Sequence, residues 1–138
     1  PLISELLPAG FYEGCRVVVP DDQKTIEDTL RRLCDEEGCD LVLTTGGTGF
    51  APRDVTPEAT RAVADRDVPG IAEAIRAESM KITPRAMLSR GVSVLRGRTL
   101  IVNLPGSPKA VRESMAVFMD TIGHGLELLH DTGGECAR

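Results

Sequence analysis

The segment best suited to chemistry runs from Leu41 to Glu58, where a short apolar run ends in three closely spaced glycines and an Arg-Asp pair. Each glycine weakens the local backbone by roughly 0.5–1 kcal/mol relative to alanine, so folding alone gives little reason for three. Successive backbone N–H groups in such a loop can form a cradle for an anion. A tight turn between strand and helix is the plainer alternative. The candidate phosphate-binding residues are Gly46, Gly47, Thr48 and Gly49.

Two carboxylates, those of Asp21 and Asp54, follow the ends of separate predicted strands. Together they could hold a magnesium ion that also contacts substrate phosphates, which makes them candidate metal ligands and catalytic residues. Magnesium would neutralise the charge that develops during nucleotidyl transfer. From sequence alone a helix cap is the favoured interpretation of Asp21. A loop hydrogen bond or a salt bridge with Arg53 is the alternative for Asp54, and Arg53 could instead face a phosphate.

A third candidate segment runs from Asn103 to Ser107. The amide of Asn103 presents both a donor and an acceptor, as recognition of a heterocycle requires. Pro105 and Gly106 fix an irregular turn, for which a stiff connector is the plainer interpretation. Ser107 is predicted to cap the helix that follows rather than to contact a ligand.

The elements that must position these residues alternate between helix and strand. Predicted helices cover residues 2–7, 21 or 22 to about 37, 56 to about 64 with Thr56 as N-cap, 69–80, 107 to about 118, and about 120–129. Predicted strands cover 16–19, 41–44, and an antiparallel hairpin of 92–95 and 99–103. This alternation predicts an α/β fold around a mostly parallel sheet. Ligands of such sheets bind at the carboxyl ends of strands, where all three candidate segments would meet.

Composition limits the class of protein. The chain has 138 residues, 41% of them hydrophobic, which fits one domain (1–131) followed by an unpatterned tail (132–138). A net charge of −5 argues against a general nucleic-acid binder. Four cysteines without metal-binding spacing predict free thiols in a reducing cytosol. Since no long apolar run or signal peptide is present, we expect no membrane association and a cytoplasmic location.

Three motifs together resemble the MoaB/Mog family of molybdenum cofactor biosynthesis, to which the G domain of gephyrin belongs. They are the run from Thr44 to Thr60, the Met-Leu-Ser-Arg segment at 87–90, and Asn-Leu-Pro-Gly-Ser-Pro at 103–108. The likeness extends from Val17 to about Leu129, nearly the whole chain, and the long first motif is far more specific than a lone glycine loop.

The resemblance implies a molybdopterin adenylyltransferase, which joins AMP from ATP to molybdopterin with magnesium and releases pyrophosphate. It also implies a three-layer α/β/α sandwich, a homotrimer, and transfer of the product to a molybdate-insertion enzyme. Family members begin with a strand that has no counterpart here, so we expect the fold to lack that first strand. The alternatives are a binding module without turnover and a trimeric scaffold domain. The presence of both aspartates favours the enzyme.

The resemblance also assigns roles by position. Asp21 and Asp54 match the family's functional aspartates, and the glycine loop matches its nucleotide-phosphate loop. Ser79 and Ser89, which the residues alone leave as solvent-facing or capping, become candidate contacts for molybdopterin. The full set of predicted molybdopterin-binding residues is Ser79, Ser89, Asn103, Pro105 and Gly106.

Overall fold

The structure, a computed structural model, describes residues 2–131, so the predicted tail at 132–138 lies outside it. The helices are α1 (Leu2–Leu6), α2 (Gln23–Arg31), α3 (Thr56–Val63), α4 (Pro69–Met80) and α5 (Pro108–Leu129). The strands are β1 (Leu41–Thr45), β2 (Arg66–Asp67), β3 (Ser93–Arg96) and β4 (Thr99–Leu104). A π-helical turn (Arg32–Glu36) extends α2, and a 3₁₀ turn (Pro84–Leu88) follows α4.

The four strands form one sheet in the order β1-β4-β3-β2. β1 pairs with β4 in parallel, and this register places Thr45 opposite Leu104 at their carboxyl ends. The predicted hairpin of β3 and β4 is confirmed, and β2 also pairs antiparallel with β3. The α/β class is therefore confirmed, but the sheet of the described residues is mixed rather than mostly parallel. The reason is that a two-residue connection can join strands only in the antiparallel sense.

Helices cover both faces of the sheet, which gives the predicted three layers. Alternate residues of the fully buried strand β4 enter different cores. Leu100, Val102 and Leu104 pack against the apolar stripe of α5 and the inner face of α4. Ile101 packs on the opposite face with apolar residues of α2 and α3. This two-residue alternation is what holds β4 rigidly at the centre and fixes the position of the loop that follows it.

The prediction of a strand at 16–19 was wrong. Residues 11–20 form no regular element, and the side chain of Val18 is 93% exposed. A β-branched run becomes a strand only when a neighbouring strand supplies hydrogen bonds, and this segment has no such neighbour among residues 2–131. Within the same residues, β1 pairs on one side only, and a groove of about 1060 Å³ runs beside it.

Two predicted helix boundaries also need correction. α5 is one helix of 22 residues with no break after Phe118, because a single apolar stripe continues through that point from Val111 to Leu126. The N-cap of α3 is Val55, and Thr56 is its first helical residue. The predicted cap of α5 is confirmed, since the hydroxyl of Ser107 accepts a hydrogen bond from the Ala110 N–H at 3.2 Å.

Among residues 2–131, every helix is too short or too polar to span a lipid bilayer.

Candidate active site

The glycine loop begins where β1 ends. Gly46 and Gly47 both adopt positive φ angles, +82° and +70°, which strongly favour glycine. The Gly46 N–H donates to the carbonyl of Leu104 at 3.0 Å, which ties the loop to the end of β4. A Cβ at Gly106 would lie 3.5 Å from the Gly46 Cα, so the two predicted ligand-binding loops are in backbone contact. Of the three candidate segments expected to meet at one edge of the sheet, the glycine loop and the segment from Asn103 to Ser107 are therefore in contact.

The loop also packs closely against the start of α3. A Cβ on Gly47 would lie 2.3 Å from the hydroxyl oxygen of Thr56, so any side chain there would force the loop or the helix to shift. The Thr56 N–H donates to the carbonyl of Gly47 at 3.2 Å. Gly47 is therefore required both by its backbone conformation and by this contact with the helix.

Asp54 faces back onto the loop. Its Oδ2 accepts a hydrogen bond from the Ala51 N–H at 3.0 Å and would lie 2.9 Å from a Cβ on Gly49. Within the described residues Oδ1 accepts no hydrogen bond and Arg53 forms no ion pair with this carboxylate. The loop hydrogen bond is thus present, the pairing with Arg53 is absent, and one carboxylate oxygen remains available to a ligand.

Asp21 is not the helix cap. The neighbouring Asp22 caps α2 by accepting from the Thr25 N–H at 2.9 Å and from its hydroxyl at 2.5 Å. These hydrogen bonds, that from the hydroxyl first, lower the pKa of Asp22. Asp21 is exposed and lines the groove beside β1 together with Gly46 and Gly106. The capping alternative is therefore excluded for Asp21, which lies on the groove side of the glycine loop.

A second, smaller cavity of about 300 Å³ opens beside the second half of the loop. It is lined by four of the predicted molybdopterin-binding residues and by the second half of the glycine loop. These residues are Ser79, Ser89, Asn103, Pro105, Thr48 and Gly49. The volume lies at the lower end of the range typical of small-molecule pockets. The predicted site residues thus divide between two hollows, with Gly46 lining the groove and Thr48 and Gly49 lining the smaller cavity. Gly47 and Asp54 line neither hollow.

The amide of Asn103 is largely committed to the protein itself. Its Nδ2 donates to the hydroxyls of Thr44 at 2.9 Å and Thr60 at 3.1 Å, and its Oδ1 accepts from the Val92 N–H at 3.1 Å. Only 5% of the residue is exposed. Asn103 therefore links β4 to β1, α3 and the start of β3. Its remaining capacity toward a ligand is one lone pair on Oδ1.

The hydroxyls of Ser79 and Ser89 make fewer hydrogen bonds to the protein than the Asn103 amide does. Within residues 2–131 the Ser79 hydroxyl makes no hydrogen bond to protein, and its carbonyl accepts from the N–H groups of Ile82 and Thr83 at the end of α4. The Ser89 hydroxyl accepts one weak bond, from the Gly91 N–H at 3.3 Å. Both side chains can therefore serve a bound molecule without breaking a strong internal contact.

Two residues near the glycine loop, Arg90 and Glu58, were not predicted from the sequence as site residues. They form an ion pair, and Arg90 binds backbone carbonyls of the loop. The Arg90 guanidinium donates to the carbonyls of Gly49 at 2.7 Å and Asp54 at 2.6 Å and pairs with Glu58 at 2.5 Å. The hydrogen bond from Arg90 lowers the pKa of Glu58, and the reverse contact raises that of Arg90. Both residues lie inside the motifs that carried the family resemblance, and this placement was the available signal.

The described residues offer carboxylate oxygens for magnesium but no complete protein coordination shell. Among the described residues no cluster of three acidic, histidine or cysteine side chains could enclose a metal ion. Magnesium, however, is commonly held by one or two carboxylates while substrate phosphates and water supply the other oxygens. Asp54, with its unbonded Oδ1, and the exposed Asp21 provide oxygen donors of this kind.

Comparison with known proteins places this site in a family. Residues 1–124 match the family described as the probable molybdopterin binding domain. The chain is 55% identical over 124 residues to the molybdopterin adenylyltransferase of Haemophilus influenzae, covering 90% of this chain and 62% of that protein. It is 53% identical over 127 residues to the enzyme of the same name from Escherichia coli, covering 90% of this chain and 65% of that protein. The chain thus spans slightly less than two thirds of these relatives.

A solved structure agrees with the sequence matches. The molybdopterin biosynthesis enzyme MoaB of Thermus thermophilus superposes with a TM-score of 0.85 at 52% identity, over 93% of this chain and 81% of that one. The fold and the motifs around the glycine loop therefore lead to the same conclusion: the chain belongs to the MoaB/Mog family, that of the probable molybdopterin binding domain.

Proposed function

We propose that this protein is a molybdopterin adenylyltransferase, which transfers AMP from magnesium-bound ATP to molybdopterin and releases pyrophosphate. The observation that carries the proposal is the glycine loop, which contributes Gly46 to one hollow and Thr48 and Gly49 to the other. Transfer of AMP from ATP to molybdopterin requires the two substrates to bind side by side, within reach of the same backbone N–H donors. The names of the relatives at 53–55% identity add independent support.

Each hollow would take one substrate. Molybdopterin would occupy the smaller cavity, where the hydroxyls of Ser79 and Ser89 are available and Asn103 offers one acceptor. The phosphates of ATP would lie against Gly46–Gly49, with Asp21 on the groove side. This arrangement would bring the phosphate of molybdopterin and the α-phosphate of ATP together at the loop.

In this reaction the protein would position the two substrates and stabilise the charge that develops on the transferred phosphate. An oxygen of the molybdopterin phosphate forms a bond to the α-phosphorus of ATP. The bond from that phosphorus to the β-phosphate oxygen breaks, and pyrophosphate leaves with the electron pair. No general base is needed, because a phosphate nucleophile is already ionised near neutral pH. Loop N–H groups aimed at the developing charge would lower the barrier, and alignment of the reactants can contribute up to roughly 7–11 kcal/mol.

Magnesium belongs to the proposal as the partner of the ATP phosphates. When bound, it neutralises charge on the transferred group. Asp54 and Asp21 would hold it through carboxylate oxygens that accept no hydrogen bond from residues 2–131.

We include three further expectations in the proposal: a homotrimer, transfer of the product to a molybdate-insertion enzyme, and a cytoplasmic location. The free thiols of Cys15, Cys34 and Cys39 fit a reducing compartment. Light scattering tests the trimer directly.

A pyrophosphate-release assay tests the proposed activity. We expect release to require ATP, magnesium and molybdopterin together, with no release when any one is omitted. Ser79→Phe should fill the smaller cavity and raise the KM for molybdopterin while leaving the KM for ATP unchanged. Ala77→Phe is the matched control, because Ala77 is an exposed residue of the same helix that lines neither hollow. Binding of both substrates without release would instead identify a binding module, and equal effects of both variants would refute the placement of molybdopterin.

A further inference from the structure

The side chain of Arg90 lies at the centre of a hydrogen-bonded brace around the glycine loop. Its Nε donates to the Gly49 carbonyl at 2.7 Å, and its Nη2 donates to the Asp54 carbonyl at 2.6 Å. Both terminal nitrogens contact the Glu58 carboxylate, at 2.5 and 3.3 Å. The backbone N–H of Arg90 adds a bond to the Thr48 carbonyl at 2.8 Å. One residue thus contacts the loop near its start and at its end.

These contacts determine where the loop's N–H groups point. Every peptide bond in the described chain is trans, and in a planar trans peptide the C=O and the following N–H point in opposite directions. The Arg90 guanidinium binds the Gly49 carbonyl, so the Phe50 N–H must face away from Arg90. The backbone N–H of Arg90 binds the Thr48 carbonyl and turns the Gly49 N–H away in the same manner, and only the first of these two bonds depends on the side chain. Two consecutive N–H groups on one side form the kind of concave surface that binds anions.

We propose that Arg90 is a positioning residue that acts through the glycine loop, directing its N–H groups toward the phosphates of the nucleotide. The inference rests on the proposed function and adds to it a determinant of ATP affinity that does not itself contact substrate. Glu58 assists by holding the guanidinium in a fixed plane, since the two-point contact of a guanidinium with a carboxylate fixes orientation as well as distance.

Arg96 offers a matched comparison within the same protein. Its guanidinium also pairs with a carboxylate at two points, Asp35 at 2.7 and 3.1 Å, and also donates to a backbone carbonyl, that of Val63 at 2.9 Å. Arg96 lines neither hollow. Within the described part of the chain, Arg90 makes four side-chain hydrogen bonds and Arg96 makes three. A change to lysine removes the planar guanidinium at either position, so a loss of nucleotide affinity confined to the Arg90 variant reports the location of the bonds.

The test compares Arg90→Lys, Arg90→Met and Arg96→Lys with the unmodified chain. Lysine keeps the charge but carries its donors on one nitrogen, so it cannot reproduce the planar fork that reaches all three acceptors, whereas methionine keeps most of the stem and no donor. We expect the KM for ATP to rise about tenfold or more in Arg90→Met, equivalent to about 1.4 kcal/mol. Arg90→Lys should give an intermediate value. The KM for molybdopterin should change much less, and Arg96→Lys should leave both constants unchanged.

Calorimetric binding of magnesium-bound α,β-methylene-ATP, which needs no turnover, separates this inference from the proposed activity. If the unmodified chain binds the analogue but releases no pyrophosphate, the proposed activity fails, and the affinities of the Arg90 variants still decide the inference. Unchanged nucleotide affinity in Arg90→Met would overturn it, as would equal losses for both substrates, which would indicate general loosening of the fold. If the Arg90 variants do not fold, Glu58→Gln takes their place, and weaker nucleotide binding without weaker molybdopterin binding is again the required result.

Discussion

Replacing Gly47 with alanine is the sharpest test of the loop geometry. The backbone there has φ +70°, and a left-handed conformation costs a residue with a Cβ about 1–2 kcal/mol. The new methyl group would also lie 2.3 Å from the Thr56 hydroxyl oxygen and 3.3 Å from its Cβ, so helix α3 or the loop must move. Overpacking of this kind costs about 1–3 kcal/mol. We therefore expect Gly47→Ala to lower the free energy of unfolding by about 2–5 kcal/mol.

Gly97→Ala separates the two contributions. Gly97 also has a positive φ, +55°, but a Cβ there would meet nothing within 4 Å. Its loss of stability should be about 1–2 kcal/mol, the conformational contribution alone. Urea unfolding followed by circular dichroism measures both variants under the same conditions.

A double variant tests whether contact with Thr56 causes the part of the Gly47→Ala stability loss that exceeds the loss in Gly97→Ala. Thr56→Ala removes the oxygen that Gly47→Ala would contact, so the combined variant should be more stable than the sum of the single losses predicts. Coupling of about 0.5–3 kcal/mol is usual for residues in contact. If Gly47→Ala and Gly97→Ala lose equal stability, or if the Thr56 change gives no coupling, the close approach of the loop to α3 is not as described.

Two further predictions concern residues around the loop. Asn103→Ala should lower the free energy of unfolding by about 1–3 kcal/mol in urea melts, because it leaves the Val92 N–H without its side-chain acceptor; an unchanged midpoint would contradict that bond. Asp22→Ala should lower the urea midpoint at pH 7, because it removes the cap of α2. Since the pKa of Asp22 is lower in the folded chain, its contribution is complete above its unfolded pKa and disappears as pH falls through the folded value. The difference from the unmodified chain should therefore shrink below about pH 4, and a constant difference would contradict it.

The sequence predicted most of the local geometry around the glycine loop, because that geometry depends on residue types that short-range rules identify. Glycines at positive φ, the Pro-Gly turn and the Ser107 cap are local features, and local rules identify them. Their meeting at one edge follows from the parallel pairing of β1 and β4, which an alternating pattern of helices and strands already indicates.

The failures share a different cause, which is dependence on distant partners. The run at 16–19 has strand-forming residues, but its conformation depends on a neighbour that the local sequence does not specify. The role of Arg90 depends on carbonyls 36 and 41 residues away in sequence, which no periodicity reveals. Likewise the internal bonds of Asn103 to Thr44 and Thr60 cross two other elements, so from sequence its amide looked free for a ligand.

The central claim is that ATP and molybdopterin react at the glycine loop with Asp54 beside them, and Asp54→Asn tests it most directly. The new amide oxygen can still accept from the Ala51 N–H, so the loop should keep its shape while the charge is lost. We predict that calorimetry finds molybdopterin binding unchanged and that pyrophosphate release falls about a hundredfold, the order expected when one electrostatic contact to the transition state is removed. Release at the rate of the unmodified chain would contradict the account.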